Sequence, residues 1–214
     1  MGFVKKVYGI LFSQMCITAA VIAAIMTNEG AAMWITGDGR WVMWPLLVVI
    51  IGIEIAILCY PKVRQMVPLN YILLFIFTVA FGLFASMNCV VYGYENPETI
   101  AAAAGLTVLI TVAVSAYACY TKTDFTICGG LIFILSFALT GFLLISWILG
   151  IWLNTLFCTL IIILYGIFLI YDTQLIIGKG RHKMGIDDYV AGAMILYIDI
   201  IMIFTYLLSL MGGN

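Results

Sequence analysis

Seven apolar stretches cover most of this 214-residue chain, at positions 7–26, 45–60, 70–92, 100–120, 127–147, 151–177 and 189–210. A helix needs about 20 apolar residues to cross a bilayer, and each stretch is near that length. The second is short and the sixth is long, so the sixth is expected to tilt or to project past the membrane. The stretches are continuous, whereas the strands of a membrane barrel alternate residue by residue. The chain reads as an all-α polytopic membrane protein, with one seven-helix transmembrane domain over 1–214. Composition closes the alternatives. Charged residues make up 9% and hydrophobic ones 65%, with a mean hydropathy of +1.22, whereas a soluble domain carries about 25% charged residues. A net charge of -1 offers no basic face to a nucleic acid. The hydrophobicity also excludes a disordered chain.

Lysine and arginine set the orientation. With the N-terminus on the cytoplasmic side, that side carries Lys5, Lys6, Lys62, Arg64, Lys122, Lys179, Arg181 and Lys183, and the other side carries Arg40 alone. This bias fits an odd number of spans, with the N-terminus inside and the C-terminus outside. Trp34, Trp41, Trp44, Trp147 and Trp152 all fall on the Lys/Arg-poor side, and indole favours the membrane–water boundary. The segment 27–43 is expected to lie along that boundary, in part re-entrant. The first span reads as an anchor rather than a cleavable signal. The connections are short, so function is expected within the membrane or through a partner.

Acids inside spans carry the chemistry, because a charge at mid-span costs about 2.5–3.5 kcal/mol on insertion scales. Asp199, in LYIDIIMIF, lies about ten residues into the last span, roughly 15 Å deep. No Lys or Arg is within a turn of it, so it faces a partner helix or water. Asp172, in YDTQLII, lies five residues before Ile177, with Gly178 supplying a stop. The sixth and seventh spans are joined by a short hairpin and should be antiparallel neighbours, which puts the two carboxyls at similar depth. Two carboxylates brought together in low dielectric cannot both stay ionised and titrate as a unit. Such a pair can share a proton, bind a hard cation through oxygen, or exchange one for the other. Two carboxylates are too few for a tight Ca²⁺ cage, which suits passage rather than storage. The bland alternatives are a protonated Asp199 acting as interhelical glue and an Asp172 in water beside Lys179 and Arg181. Glu54, mid-way along the second span, is a third acid on the same path, an independent partner, or a neutral group hydrogen-bonded in the bundle. Lys62 and Arg64 follow that span; one could be a counter-ion to an acid in the bundle, or both are ordinary positive-inside residues.

Gln14, Asn88, Ser115 and Asn154 read as polar glue between helices. The small residues of AAAAGLTVLITVAVSAYA in the fourth span, and Gly129, Gly130 and Gly141 in the fifth, permit close packing and are expected inside the bundle. The six cysteines form no CxxC pair and behave as small apolar residues. No P-loop, Ser/His/Asp set or HExxH occurs, so neither catalysis nor a bound cofactor is expected.

Two long segments carry a likeness. CYPKVRQMVPLNYILLFIFTVAFG (59–82) and YDTQLIIGKGRHKMGIDDYVAGAMILYIDIIMIFTYLLSLMG (171–212) resemble the transmembrane Bax-inhibitor-motif family, its lifeguard branch in particular, and KVYGILFSQMCIT (6–18) resembles the start of that family's first span. The resemblance implies six helices around a central seventh, a pH-sensitive Ca²⁺ leak through intracellular membranes and, in animals, suppression of cell death. By the same resemblance Asp172 and Asp199 are the family's paired aspartates, Glu54 its acid in the second span, and Arg64 or Lys62 the basic residue that can latch to the pair. The chain departs from the family in two ways. The long Pro/Gly-rich tail of many lifeguard members is nearly lacking, and MILYIDIIM stands where the family reads close to NLYLDIIN, which removes two amides.

Two functions follow as expectations. One is a pH-gated cation leak carrying Ca²⁺ or exchanging it with protons, in the endoplasmic reticulum or Golgi. The other is a non-conducting subunit of a larger membrane complex, for example in the mitochondrial inner membrane. A proton-coupled transporter would use the same carboxylates. Membrane lipids are the expected surroundings in every case.

Overall fold

The computed structural model describes residues 2–94, 96–148 and 155–213. Among them are seven helices long and apolar enough to cross a membrane. In chain order the helices are α1 (Gly2–Met26), α2 (Glu29–Thr36), α3 (Met43–Cys59), α4 (Pro61–Gln65), α5 (Leu69–Gly93), α6 (Pro97–Tyr120), α7 (Gly129–Ile148), α8 (Thr155–Ile177) and α9 (Tyr189–Gly212). Only α2 and α4 are too short to span. Helix is the form expected, because a chain in hydrocarbon must satisfy its own backbone hydrogen bonds.

Local chemistry marks the ends. The Asn28 side chain accepts the Ala31 amide at 3.1 Å and caps α2. Pro61 and Pro97 open α4 and α6, where the missing N–H costs nothing. Gly178 ends α8 at φ +71°, a conformation that favours glycine. The segment after the first span is therefore helical, α2 followed by a 3-10 turn at Asp38–Val42, with Trp34, Trp41 and Trp44 exposed. That turn runs into α3 and gives the short second stretch 22 residues, Asp38–Cys59. The long sixth stretch holds a 23-residue helix, α8; Trp152 and Asn154 lie outside the described residues.

Of the seven spans among the described residues, the last is the most buried. Met194, Leu196, Tyr197, Asp199 and Leu208 on α9 are buried, and α9 packs along α1, α5, α6 and α8. Of the other two spans, α3 packs chiefly on α5, and α7 meets the turn Phe125–Cys128 at its own start. Lipid is as apolar as leucine, so close packing and polar contacts decide which helices meet. At Gly82 a Cβ would lie 3.3 Å from Val21 and 3.6 Å from the Thr18 Cα, which is how near α5 comes to α1. Beside it, Gln14 donates to Thr78 at 3.0 Å and Thr18 pairs with the Tyr197 hydroxyl at 2.7 Å. Each such bond contributes roughly 0.6–2 kcal/mol. Phe77 and Phe81 stand edge-on to the Tyr197 ring.

The small residues of α6 and α7 are used only in part: α6 packs along α8 and α9 through one edge, and at Gly129 α7 comes close to the Tyr171 hydroxyl, but most of both helices stays exposed. On α6 only Ala103, Thr107 and Ala118 are buried, and a Cβ at Gly105, Gly130 or Gly141 would meet open space. Small residues permit close approach without requiring it, and helices with few polar side chains gain little by moving inward.

Candidate functional site

The α8–α9 hairpin builds the site. Its loop ties down at both ends on the Lys/Arg-rich side. Gln174 accepts the Phe125 amide at 2.9 Å and donates to the Thr123 carbonyl at 2.9 Å. The Lys179 ammonium donates to the carbonyls of Cys119 and Thr121, the open C-terminal end of α6. Asp124 accepts the Thr126 hydroxyl at 2.6 Å and the backbone amides of Thr126 and Arg181, each at 2.9 Å. These bonds, led by the Thr126 hydroxyl, hold the Asp124 carboxyl below its ordinary range. Lys179 is thus committed to α6, and Asp172 does not rely on it.

With the hairpin fixed, α8 and α9 run antiparallel side by side, and the carboxyl groups of Asp172 and Asp199 lie within electrostatic reach of each other. Asp172 is partly buried and Asp199 is 3% exposed. The Asp199 Oδ2 has no protein hydrogen-bond partner among the described residues. A contact between two carboxyls is attractive only when a proton or a cation lies between them.

Glu54 is not part of this pair. It lines a cavity of about 390 Å³ walled by α3, α5, α7, α8 and α9, with Arg40 also in its lining. Counting from Met43 at the start of α3, Glu54 lies about 16 Å along the helix. Tyr165, on α8, connects the two places. It lines the cavity and lies within electrostatic reach of both Glu54 and Asp199. Ile198 and Met202, on either side of Asp199 along α9, also face the cavity. Among the described residues no three His, Cys, Asp or Glu side chains gather as a metal cluster, so Asp172, Asp199 and Glu54 do not form one three-carboxylate site. About three helical turns of α3 separate Glu54 from Met43, at the Lys/Arg-poor start of that helix.

Arg64 is not the counter-ion of an intramembrane acid. Its Nε meets the Asp188 Oδ1 at 2.8 Å, and Gln65 donates to the same oxygen at 2.9 Å. Asn70 in turn donates to the Arg64 carbonyl at 2.9 Å. The reason is place: α4 lies beside the start of α9, and a guanidinium loses less hydration pairing there than deeper in. Lys62 is exposed.

Tyr165, Gln174 and Asp188 were not singled out by sequence reasoning. Tyr165 lies seven residues before Asp172, two helical turns along the same face. Asp188 lies just before the last span, in a loop otherwise rich in Lys and Arg. Gln174 left no distinguishing pattern.

Comparison with known proteins gives a consistent picture. A family model described as "Inhibitor of apoptosis-promoting Bax1" matches residues 1–214. Protein lifeguard 3 of Homo sapiens is 33% identical over 217 residues, spanning 99% of this chain and 68% of the relative. Protein lifeguard 3 of Mus musculus is 33% identical over 100% of this chain and 69% of the relative. Protein LIFEGUARD 3 of Arabidopsis thaliana is 30% identical over 98% and 84%.

Proposed function

From a chain that belongs to the Bax-inhibitor family of integral membrane proteins, related to suppressors of apoptosis, we propose a pH-sensitive cation leak, with Ca²⁺ as the permeant ion, through an intracellular membrane such as the endoplasmic reticulum or Golgi. The observation that carries the reading is the meeting of Asp172 and Asp199. A cation would enter from the Lys/Arg-poor side through the cavity that holds Glu54. Beyond Tyr165 it would meet the aspartate pair, and then the basic end of the bundle. An ionised pair supplies oxygen ligands to a hard cation; a fully protonated pair does not. Acidification therefore empties the site and lowers flux.

The experiment is Ca²⁺ flux into dye-loaded liposomes across a pH series. Asp172→Asn and Asp199→Asn should each reduce flux and flatten its pH response.

One observation favours a second reading, a non-conducting subunit of a membrane complex. Neither Asp172 nor Asp199 lines the described cavity, whose inner lining includes Tyr165, Ile198 and Met202. Under that reading the protein runs as a fixed-stoichiometry assembly on native gels in mild detergent and passes no ions.

A further inference from the structure

The cavity around Glu54 is larger than an ion's path requires. Its volume of about 390 Å³ falls in the range of pockets that hold drug-sized molecules. Its walls are mostly apolar and aromatic, with Phe81 and Phe84 from α5, Tyr165 from α8 and Leu144 from α7. Two polar groups in it lack partners. Glu54 has no hydrogen-bond partner among the described residues, and the Ser146 hydroxyl, 3% exposed on α7, has none either. A pocket with an apolar body and a few convergent, unpaired polar groups is built to take an organic ligand.

Charge and shape narrow the class. Among the described residues the one carboxyl in the lining is Glu54 and the one fixed cation is Arg40. Arg40 is exposed, so water and salt screen it. Glu54 lies deeper, where low dielectric strengthens an ion pair. The aromatic faces of Phe81, Phe84 and Tyr165 attract a cation further. An acyl chain would satisfy the apolar wall and leave Glu54 and Ser146 unanswered; a small hydrated ion would do the reverse.

We propose that this cavity is a binding site for a lipophilic organic cation, its positive centre on Glu54 and its apolar body among Phe81, Phe84 and Tyr165. An occupant seated there blocks the route from the Lys/Arg-poor side. Only this blocking consequence rests on the leak reading; binding itself does not.

The test uses radiolabelled tetraphenylphosphonium and the full-length protein in nanodiscs of neutral lipid, with empty discs subtracted. Triphenylphosphine oxide, of similar shape and no charge, is the competitor control. The expected result is saturable binding at one per chain, unaffected by triphenylphosphine oxide. Glu54→Gln weakens binding about tenfold or more, as loss of a charged partner does. Leu144→Trp, which fills the cavity from the peripheral α7, abolishes it, and Glu29→Gln, exposed and outside the lining, leaves it unchanged. Binding no greater than in empty discs overturns the proposal. So does equal binding to wild type, Glu54→Gln and Leu144→Trp, or equal competition by triphenylphosphine oxide, which would mark a pocket that reads shape and apolarity alone. If tetraphenylphosphonium binds as expected and liposomes show no Ca²⁺ flux, the site stands and the leak reading fails. If flux is present and the cation neither binds nor blocks, the leak stands and this proposal fails.

Discussion

The Nε of Arg64 lies 2.8 Å from the Oδ1 of Asp188 and joins the short helix α4 to the start of α9. The two side chains are 23% and 10% exposed, so the pair is neither a free surface contact nor fully buried. It fixes the Lys/Arg-rich end of the seventh helix against the link between the second and third spans. With Lys6 stacked over the Tyr189 ring at 5.0 Å, it sets where α9 begins and so how deep Asp199 lies.

Removing one partner should cost more than removing both. Asp188→Asn or Arg64→Gln leaves a partly desolvated charge without its mate, a loss of about 1–3 kcal/mol. The double variant should recover part of this, with a coupling energy of about 0.5–3 kcal/mol. Denaturation in detergent, followed by tryptophan fluorescence, measures the cycle. A coupling near zero would show that the contact does not hold α9.

Gln174 makes bonds to both the Phe125 amide and the Thr123 carbonyl while 1% exposed. Gln174→Leu strands both backbone groups and should destabilise the loop by about 2–3 kcal/mol. Hydrogen exchange at 121–126 should speed up, with exchange in α1 and α5 unchanged. Unaltered protection would mean that Lys179 and Asp124 hold the loop without it.

Asp124 makes this loop acid-sensitive. Its carboxyl is held below the ordinary aspartate range, chiefly by the Thr126 hydroxyl. A depressed carboxyl lends stability that is fully present above the unfolded value, near pH 4, and is lost as pH falls through the folded value. Exchange protection at 124–128 should therefore decline below about pH 4. Asp124→Asn should remove that dependence and lower protection at neutral pH. A pH profile shared by wild type and variant contradicts the assignment.

At Gly192, near its start, α9 packs tightly on its neighbours. A Cβ there would sit 3.2 Å from the Met184 sulfur and 3.3 Å from Val7 Cγ2. Gly192→Leu should overpack the junction and cost about 1–3 kcal/mol, whereas Gly105→Leu, facing open space, should cost little. Equal melting temperatures for the two variants would contradict the packing.

Hydropathy alone made the seven spans legible, because crossing a bilayer demands length and apolarity and little else. That the last two long helices pack side by side was legible too, because a short hairpin forces them together. The inward or outward placement of α6 and α7 was not legible, because in lipid an inward face and an outward face are equally apolar. The partner of Arg64 was missed because spacing does not rank several acids at similar distance. Glu54 was read as a third acid on the same path or an independent partner; where it sits relative to the pair depends on how α3 packs on α5, which no local pattern encodes. Tyr165, between them, carries a signal only once Asp172 is taken as the reference point of the α8 face.

The central claim is that Asp172 and Asp199 act as one titrating cation site. The most direct measurement is Ca²⁺ flux into dye-loaded liposomes from pH 5 to 8, comparing wild type with Asp172→Asn and Asp199→Asn, each checked for folding by thermal melting. The account predicts that wild-type flux falls with acidification and that either folded variant loses most of the flux and its pH dependence. Folded variants with wild-type flux and an unchanged pH profile would contradict it.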